Sequence, residues 1–269
     1  MAGNNVILIT GANRGIGRQM AASLLLRPAT TVIATVRDPA HELSKSLADL
    51  PAGEGSKILV SVFDAKEGPG ALLAALADAG IQHLNLVISN AGNSDAFRSV
   101  LETDPSALRD DFEVNAVGPF RLFQGCWPLL SKAETGSDKK FVLITSSVGS
   151  IAGMEQESFP GVAYGASKAA ANWLAKKIGT ELAGEGLQVG IIHPGWVKTG
   201  MGQALADTVG FPEPPMTIED SSRGVLEQKK MDGLRERPYQ EVLTLDQIDK
   251  LSSETSGKFL AFNGEVIPW

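Results

Sequence analysis

The run Val6-Ile7-Leu8-Ile9-Thr10-Gly11-Ala12-Asn13-Arg14-Gly15-Ile16-Gly17 decides how the chain folds. Its four leading aliphatic residues read as a strand buried on both faces, the pattern of a parallel sheet. Helical sequence follows the last glycine at once, so the intervening turn joins a strand to a helix. In such a turn Gly11 permits the tight bend, Gly15 lets backbone approach a pyrophosphate, and Gly17 lets helix and sheet pack closely. The helix N-terminus then presents its orphan N–H groups to the phosphates. No basic segment precedes residues 6–9 and no extended apolar stretch follows them, which sets this run apart from a targeting signal.

Working outward, β-branched runs recur at 31–36, 58–63, 84–89, 141–145, 189–193 and 258–262, which with 6–10 gives seven predicted strands. Helix-compatible segments occupy 16–26, 71–79, 107–130 and 166–182. Strands alternating with helices imply an α/β class with parallel crossovers, hence a doubly wound sheet. Such sheets bind ligands beyond the carboxyl ends of their strands, so chemistry is expected just after each one. No Gly/Ser linker or charge block divides residues 1–269, and a single domain is expected. Residues 200–217, with Phe211-Pro212-Glu213-Pro214-Pro215, break the rhythm and read as a loop over the sheet edge, a lid over substrate.

Composition excludes several classes. With 43% hydrophobic and 20% charged residues the chain is that of an ordinary globular protein rather than a disordered or collagenous one. No apolar stretch approaches the 18 or more residues of a membrane helix, so no membrane partner is expected. Counting 24 Lys+Arg against 31 Asp+Glu leaves a net charge of −7, which opposes binding to a phosphate backbone, so nucleic acid is not an expected partner. The single cysteine, Cys126, cannot form an internal disulfide, and the reducing cytoplasm is the expected compartment. It lies in a helical stretch without the basic neighbours of an activated thiolate and reads as packing. The three histidines, at 41, 83 and 193, have no metal-ligand spacing, so no metal site is expected. Tyr239 lies in a charged stretch and reads as surface.

The end of the second predicted strand decides which dinucleotide the glycine turn would take. An acidic residue there grips the ribose hydroxyls of NAD and repels the extra phosphate of NADP. Here Val36 is followed by Arg37, which together with Arg14 can offer guanidinium donors to a 2′-phosphate. NADP(H) is the expected cofactor, with Asp38 as the alternative ribose acid.

Four more features follow in order: Asn90-Ala91-Gly92 after the fourth strand, Asn115, the pair Tyr164 and Lys168, and Pro194-Gly195 after the sixth. With the opening TGANRGIG, this set resembles the short-chain dehydrogenase/reductase family along nearly the whole chain. The resemblance implies a single Rossmann-type, mainly parallel seven-stranded sheet, a nicotinamide cofactor, and a catalytic Ser-Tyr-Lys group supported by an Asn. By motif, Asn13 and Ile16 belong to the cofactor turn, and Asp64, with Ala65 beside it, would bond the adenine. Asn90, Ala91 and Gly92 would wall the adenine ribose. Pro194, Gly195, Val197 and Thr199 would line the nicotinamide, with Thr199 on its carboxamide. Lys168 would hold the nicotinamide ribose, and Asn115 would hold a water linking Lys168 to solvent. Ser147 matches the serine that orients the substrate carbonyl, with Ser146 and Ser150 as alternatives. The interval from Ser147 to Tyr164 is four residues longer than in many members, which predicts a longer loop.

Tyr164 and Lys168, four apart, lie on one helix face. A cation ~5 Å from the phenol at an effective dielectric of ~20 is worth about 3 kcal/mol, or roughly two pKa units, so Lys168 is expected to acidify the phenol. Met154, Phe159, Trp196, Met201, Phe211 and Met216 cluster in sequence around these residues and make an apolar pocket. The 163–168 motif and the ending 257–269 resemble a subgroup that includes carbonyl reductases and fungal norsolorinic acid ketoreductase-type enzymes. The resemblance implies an NADPH-dependent reduction of a bulky hydrophobic or aromatic, polyketide-like ketone or aldehyde, in a homo-oligomer (dimer or tetramer), although monomers occur. Against that subgroup, residues 229–247 read as a charged surface insertion. A noncatalytic NADP(H) sensor on the same fold is the alternative; it would have no need of the full Ser-Tyr-Lys-Asn set.

Overall fold

A computed structural model describes residues 4–94, 97–133, 139–157, 159–222 and 244–269. In chain order its elements are β1 (Asn5–Thr10), α1 (Gly15–Leu25), β2 (Thr30–Val36), α2 (Glu42–Lys45), β3 (Lys57–Val62), α3 (Gly70–Asp78), β4 (Leu86–Ser89) and α4 (Pro105–Phe112). A π-turn, Glu113–Val117, leads into α5 (Gly118–Leu130). There follow β5 (Lys139–Ile144), α6 (Val162–Glu181), β6 (Leu187–His193), α7 (Gly200–Val209), α8 (Ile218–Ser222), α9 (Thr244–Asp249) and β7 (Phe259–Ala261). The seven strands form one sheet in the order β3-β2-β1-β4-β5-β6-β7, and every pairing is parallel. This is the Rossmann-type α/β fold.

The sheet is buried on both faces because its strands carry apolar residues at odd and even positions alike. Val6 and Leu8 of β1 face a core built with Leu72 and Leu76 of α3, Leu122 and Cys126 of α5, and Ala175 and Ile178 of α6. Ile7 and Ile9 face the opposite core, with Met20, Ala21 and Leu24 of α1 and Ile248 of α9. Strand order reverses between β1 and β4: β2 and β3 extend one way from β1, and β5, β6 and β7 the other way from β4. The carboxyl ends of β1 and β4 therefore diverge toward different crossovers, which leaves a crevice between them.

Two expectations change. The helix expected over 107–130 is broken by the π-turn, because Pro119 donates no N–H and its ring crowds the carbonyl of Asn115 four residues earlier. Residues 200–217 are not a loop throughout. Thr199 caps α7 by accepting from the Gly202 N–H at 3.1 Å, and Gly210 ends it at φ 76°. The chain then returns beside β6, where Lys198 N donates to Met216 O at 2.8 Å. Of the charged stretch 229–247, residues 229–243 lie outside the described residues, as does Tyr239, and the remainder opens α9. Among the described residues no helix is long and apolar enough to cross a membrane.

Phe141, 1% exposed in the interior strand β5, meets the Phe123 ring edge-on at 5.1 Å between centroids. Phe141→Ala is expected to lower unfolding free energy by about 3–5 kcal/mol, read from urea denaturation.

Candidate active site

The glycine turn lies at the crevice. Gly11 (φ +66) and Gly15 (φ +56) occupy the left-handed region that L side chains rarely adopt. A Cβ at Gly17 would collide with the Gly11 carbonyl and come within 2.5 Å of Asn90 Nδ2, so only glycine fits there. Asn90 braces this turn rather than facing outward. Its side-chain amide donates to the carbonyl of Thr10 at 2.9 Å, while the N–H groups of Asn90 and Ala91 both donate to Thr10 Oγ1. The first strand's end is thereby tied to the fourth's. No side chain caps the N-terminus of α1 and no acidic residue occupies its first turn, so the orphan N–H groups behind Asn13 and Arg14 remain for a ligand. Ile16 packs its side chain against the core on the α1 face.

Arg14 and Arg37 are exposed, and among the described residues neither has an ion-pair or side-chain hydrogen-bond partner. Asp38 spends its carboxylate on its own loop, accepting from Ala40 N at 2.8 Å. After β3, Asp64 similarly accepts from Lys66 N at 2.8 Å and bridges to Gly68. Arg121 of α5 holds this loop by donating to Lys66 O at 3.1 Å and by pairing with Glu113, and Ala65 packs so tightly on Gly118 that a Cβ there would lie 2.6 Å away. An uncapped helix end, a glycine cradle that any side chain would fill and two unpaired guanidinium groups together fit a phosphorylated dinucleotide.

On the other side of the crevice, α6 carries Tyr164 and Lys168 on one face, with Lys168 Nζ 5.6 Å from the phenol ring centroid. Lys168 is 4% exposed, and its ammonium donates to Ile144 O at the end of β5, at 3.1 Å. The π-turn places Asn115 beside it. Asn115 Nδ2 donates to Asn93 O at 2.8 Å and Ser167 Oγ at 3.0 Å, and its Oδ1 accepts from Asn93 N at 3.0 Å. A Cβ at Gly92 would lie 2.9 Å from Asn115 Oδ1 and 3.6 Å from Lys168 Nζ, so the amide and the ammonium flank that glycine. The sequence-predicted Gly92, Asn115, Tyr164 and Lys168 are thus brought together at the strand ends.

The serines divide. Ser146, left open as an alternative, is half-buried beside Ser147, and its hydroxyl favours the ionised form of the Tyr164 phenol. Ser147 opens a one-turn 3-10 helix, Ser147–Gly149, half-buried, and its hydroxyl has no partner among the described residues. Ser150 is turned away: it donates to Pro268 O at 2.6 Å and accepts from Gly153 N at 2.9 Å.

The electrostatics reverse one expectation. Burial pushes the Tyr164 phenol up to about 12. The Ser146 hydroxyl works against this shift and the field of Asp111 adds to it. The ring keeps part of its own surface open, but its dense surroundings leave a phenolate with too little solvation for the ammonium to offset. Lys168 in turn is lowered to about 8 by burial, with Asp111 opposing. Sequence reasoning missed Asp111. It is fully buried on α4 one helical turn before Asn115, the same four-residue interval that pairs Tyr164 with Lys168, and that spacing was the available signal. The two residues read as structural behave so: burial holds the His193 imidazole down at about 4 and lifts the Cys126 thiol to about 12.

After β6, Gly195 (φ +85) turns the chain under Met216, whose sulfur occupies the space a side chain would need. Pro194 accepts from Ser221 Oγ at 2.8 Å, and Val197 pairs with Met216. Thr199 Oγ1 serves as the cap of α7, while its methyl faces Gly15, 3.5 Å from where a Cβ there would stand. The apolar residues expected as one cluster form separate groups. Phe97 meets Tyr164 edge-on at 6.2 Å and Phe159 at 6.4 Å, whereas Trp196 packs on Phe211 at 5.6 Å. Met201 is half-buried on α7, and Met154 is 61% exposed.

This arrangement can be set beside known proteins. A family model described as short chain dehydrogenase matches residues 5–210. The chain belongs to the short-chain dehydrogenase family. Among the family's curated members, the short chain dehydrogenase gsfK of Penicillium aethiopicum is 36% identical over 268 residues, covering 98% of each chain. The norsolorinic acid ketoreductase nor1 of Dothistroma septosporum is 36% identical over 267 residues, 97% of this chain and 91% of that one. Among solved structures, the NADPH-bound carbonyl reductase from chicken fatty liver superposes with a TM-score of 0.78 at 27% identity, over 100% of this chain and 96% of its own. The family thus fits the crevice described above, with its nucleotide-shaped turn on one wall and a phenol-ammonium pair on the other.

Because Lys168 titrates near 8 in the folded chain against 10.5 ordinarily, the unfolded chain holds that proton more tightly between these values, and stability rises with pH across that window. Lys168→Met removes the buried charge. The variant is expected to be more stable than the parent at pH 7, by up to about 3 kcal/mol. The gap should close as pH climbs from 8 toward 10.5, compared by urea denaturation at pH 7 and pH 10.

Proposed function

We propose that the protein is an NADPH-dependent carbonyl reductase acting on bulky, aromatic, polyketide-like ketones or aldehydes. The observation that carries this reading is the placement of a protonated phenol and a buried ammonium on one helix face, across Gly92 from the glycine turn. NADPH, when bound, supplies the hydride. The glycine turn and the N-terminus of α1 would hold its pyrophosphate, and Arg14 and Arg37 its 2′-phosphate. Asp64 and Ala65 shape the adenine end, and Val197 and Thr199 the nicotinamide end.

A phenol pushed up to about 12 keeps its proton at neutral pH, which is the form a reductase needs. Tyr164 gives that proton to the carbonyl oxygen as negative charge develops there. Ser147, whose hydroxyl is uncommitted, donates a hydrogen bond to the same oxygen. Lys168 stabilises the phenolate left behind, and Asn115 steadies the strand-end loop at Asn93 beside it. Relatives that include a norsolorinic acid ketoreductase, and the Phe97 and Phe159 rings beside the phenol, support an aromatic substrate.

Consumption of NADPH is expected with a panel of aromatic ketones, and Tyr164→Phe should slow it by about 10²–10⁴-fold while leaving NADPH affinity within a small factor. Equal rates in parent and variant would overturn the reading. Arg37→Ala is expected to weaken NADPH binding by roughly 10- to 100-fold, the loss of a charged hydrogen bond, with little change for NADH. Titration of the cofactor's fluorescence measures both.

A further inference from the structure

The segment between the serines and Tyr164 is tied to distant parts of the protein by few hydrogen bonds. Within residues 150–157 the backbone hydrogen bonds are local: Met154 N donates to Ile151 O, Gln156 N to Gly153 O and Glu157 N to Met154 O. Apart from bonds to its immediate flanks (Ser150 N to Ser147 O and Phe159 N to Glu157 O), two hydrogen bonds leave this loop among the described residues, and both go to residues 268 and 269. Ser150 Oγ, on a residue 2% exposed, donates to Pro268 O at 2.6 Å, and Ala152 N donates to Trp269 O at 2.8 Å.

The end of the chain is itself anchored. After β7 a tight turn, with Gly264 at φ +84 and Ala261 N donating to Glu265 O at 2.8 Å, reverses the backbone. The returning strand pairs antiparallel at Leu260 and Val266, and Ile267 N donates to Phe259 O at 2.8 Å. The Trp269 ring stacks on the fully buried Phe259 ring, with centroids 5.6 Å apart and planes inclined by 28°. Lys176, on the same α6 that carries Tyr164 and Lys168, places its ammonium 5.7 Å from the Trp269 ring while donating to Gly257 O at 2.9 Å. A buried aromatic and a cation from the catalytic helix thus fix one end of a strap whose other end is the loop.

We propose that residues 267–269 are a specificity-determining strap: through Ser150 and Ala152 they set the position of the loop that presents Ile151 and Met154 to a bulky substrate. These two side chains are apolar yet 72% and 61% exposed, on the loop that runs from Ser147 to Tyr164, which leaves them free to meet a large hydrophobic ligand. The strap touches neither the phenol nor the glycine turn, so its residues act by positioning. The inference rests on the proposed reductase reading for its substrate, though not for its mechanical content.

The test uses the full chain with Trp269→Ala, Ser150→Ala and the conservative Trp269→Phe. Trp269→Ala and Ser150→Ala are expected to raise KM for a bulky aromatic ketone by about fivefold or more, the size of one lost hydrogen bond. In the same variants kcat for a small aldehyde and NADPH affinity should stay within about twofold, a change too small to count as one such bond. Trp269→Phe, which keeps the stack, should restore the parent KM. Equal losses on ketone and aldehyde, or no loss on either, overturn the strap. Should the parent reduce no carbonyl, the reductase reading falls, and hydrogen exchange decides the strap. Amides of residues 150–156 must then exchange faster in Trp269→Ala than in the parent, and unchanged exchange overturns it.

Discussion

The reversal of strand order between β1 and β4 is the constraint on which everything else hangs. A parallel sheet covered on both faces leaves no lateral entrance, so the only unroofed backbone is where two neighbouring strands send their chains to opposite sides. Thr10 stitches this place together. Its hydroxyl accepts from two successive N–H groups after β4, and its carbonyl accepts from the Asn90 side chain. The seam is therefore rigid where the glycine turn is tightest, and the side chains of α6 and the π-turn can be aimed at it with fixed geometry. A site of this kind is built on strand ends rather than on free loops, which holds the ammonium, the amide and the phenol in register.

Much of this was legible in the amino-acid sequence because the signals were physical and local. Strands buried on both faces write themselves as unbroken aliphatic runs, and all seven were found within a residue or two of their ends. The Tyr164–Lys168 interval announces a shared helix face whatever the fold. Harder to read were features that depend on what lies across a gap. Which of Ser146 and Ser147 faces the phenol is a matter of how a strand-end residue turns, and the one-dimensional pattern cannot distinguish the two. Thr199 and Asn90, expected at the cofactor, also commit polar atoms to backbone, as short polar side chains do. The segment after β6 was read from its prolines as a loop, although the ten residues before them have the small, helix-tolerant composition and the Thr and Gly ends of α7.

The phenol is the clearest case of a sign that sequence cannot supply. Coulomb attraction between neighbours four apart is easy to estimate from spacing, whereas the opposing desolvation depends on every atom packed around them. Burial moves the two groups apart, with Tyr164 raised to about 12 and Lys168 lowered to about 8, so both favour their neutral forms more than they would in water. The adjoining Asp111 carboxylate biases the pair toward a charged ammonium and an uncharged phenol, the combination suited to giving a proton away.

The π-turn at Glu113–Val117 carries a consequence for how this chain can change over time. One residue more than an α-helical turn rotates everything beyond it by about 100°. Asp111 on one side and Leu122, Phe123 and Cys126 on the other thus point inward only because the extra residue is present. Deleting a single residue there would turn the apolar stripe of α5 away from the sheet and carry the Asn115 amide off Gly92 in the same stroke. Loss or gain of length, tolerated almost anywhere on the surface, is thereby forbidden across these five positions, and packing and chemistry are inherited as one unit.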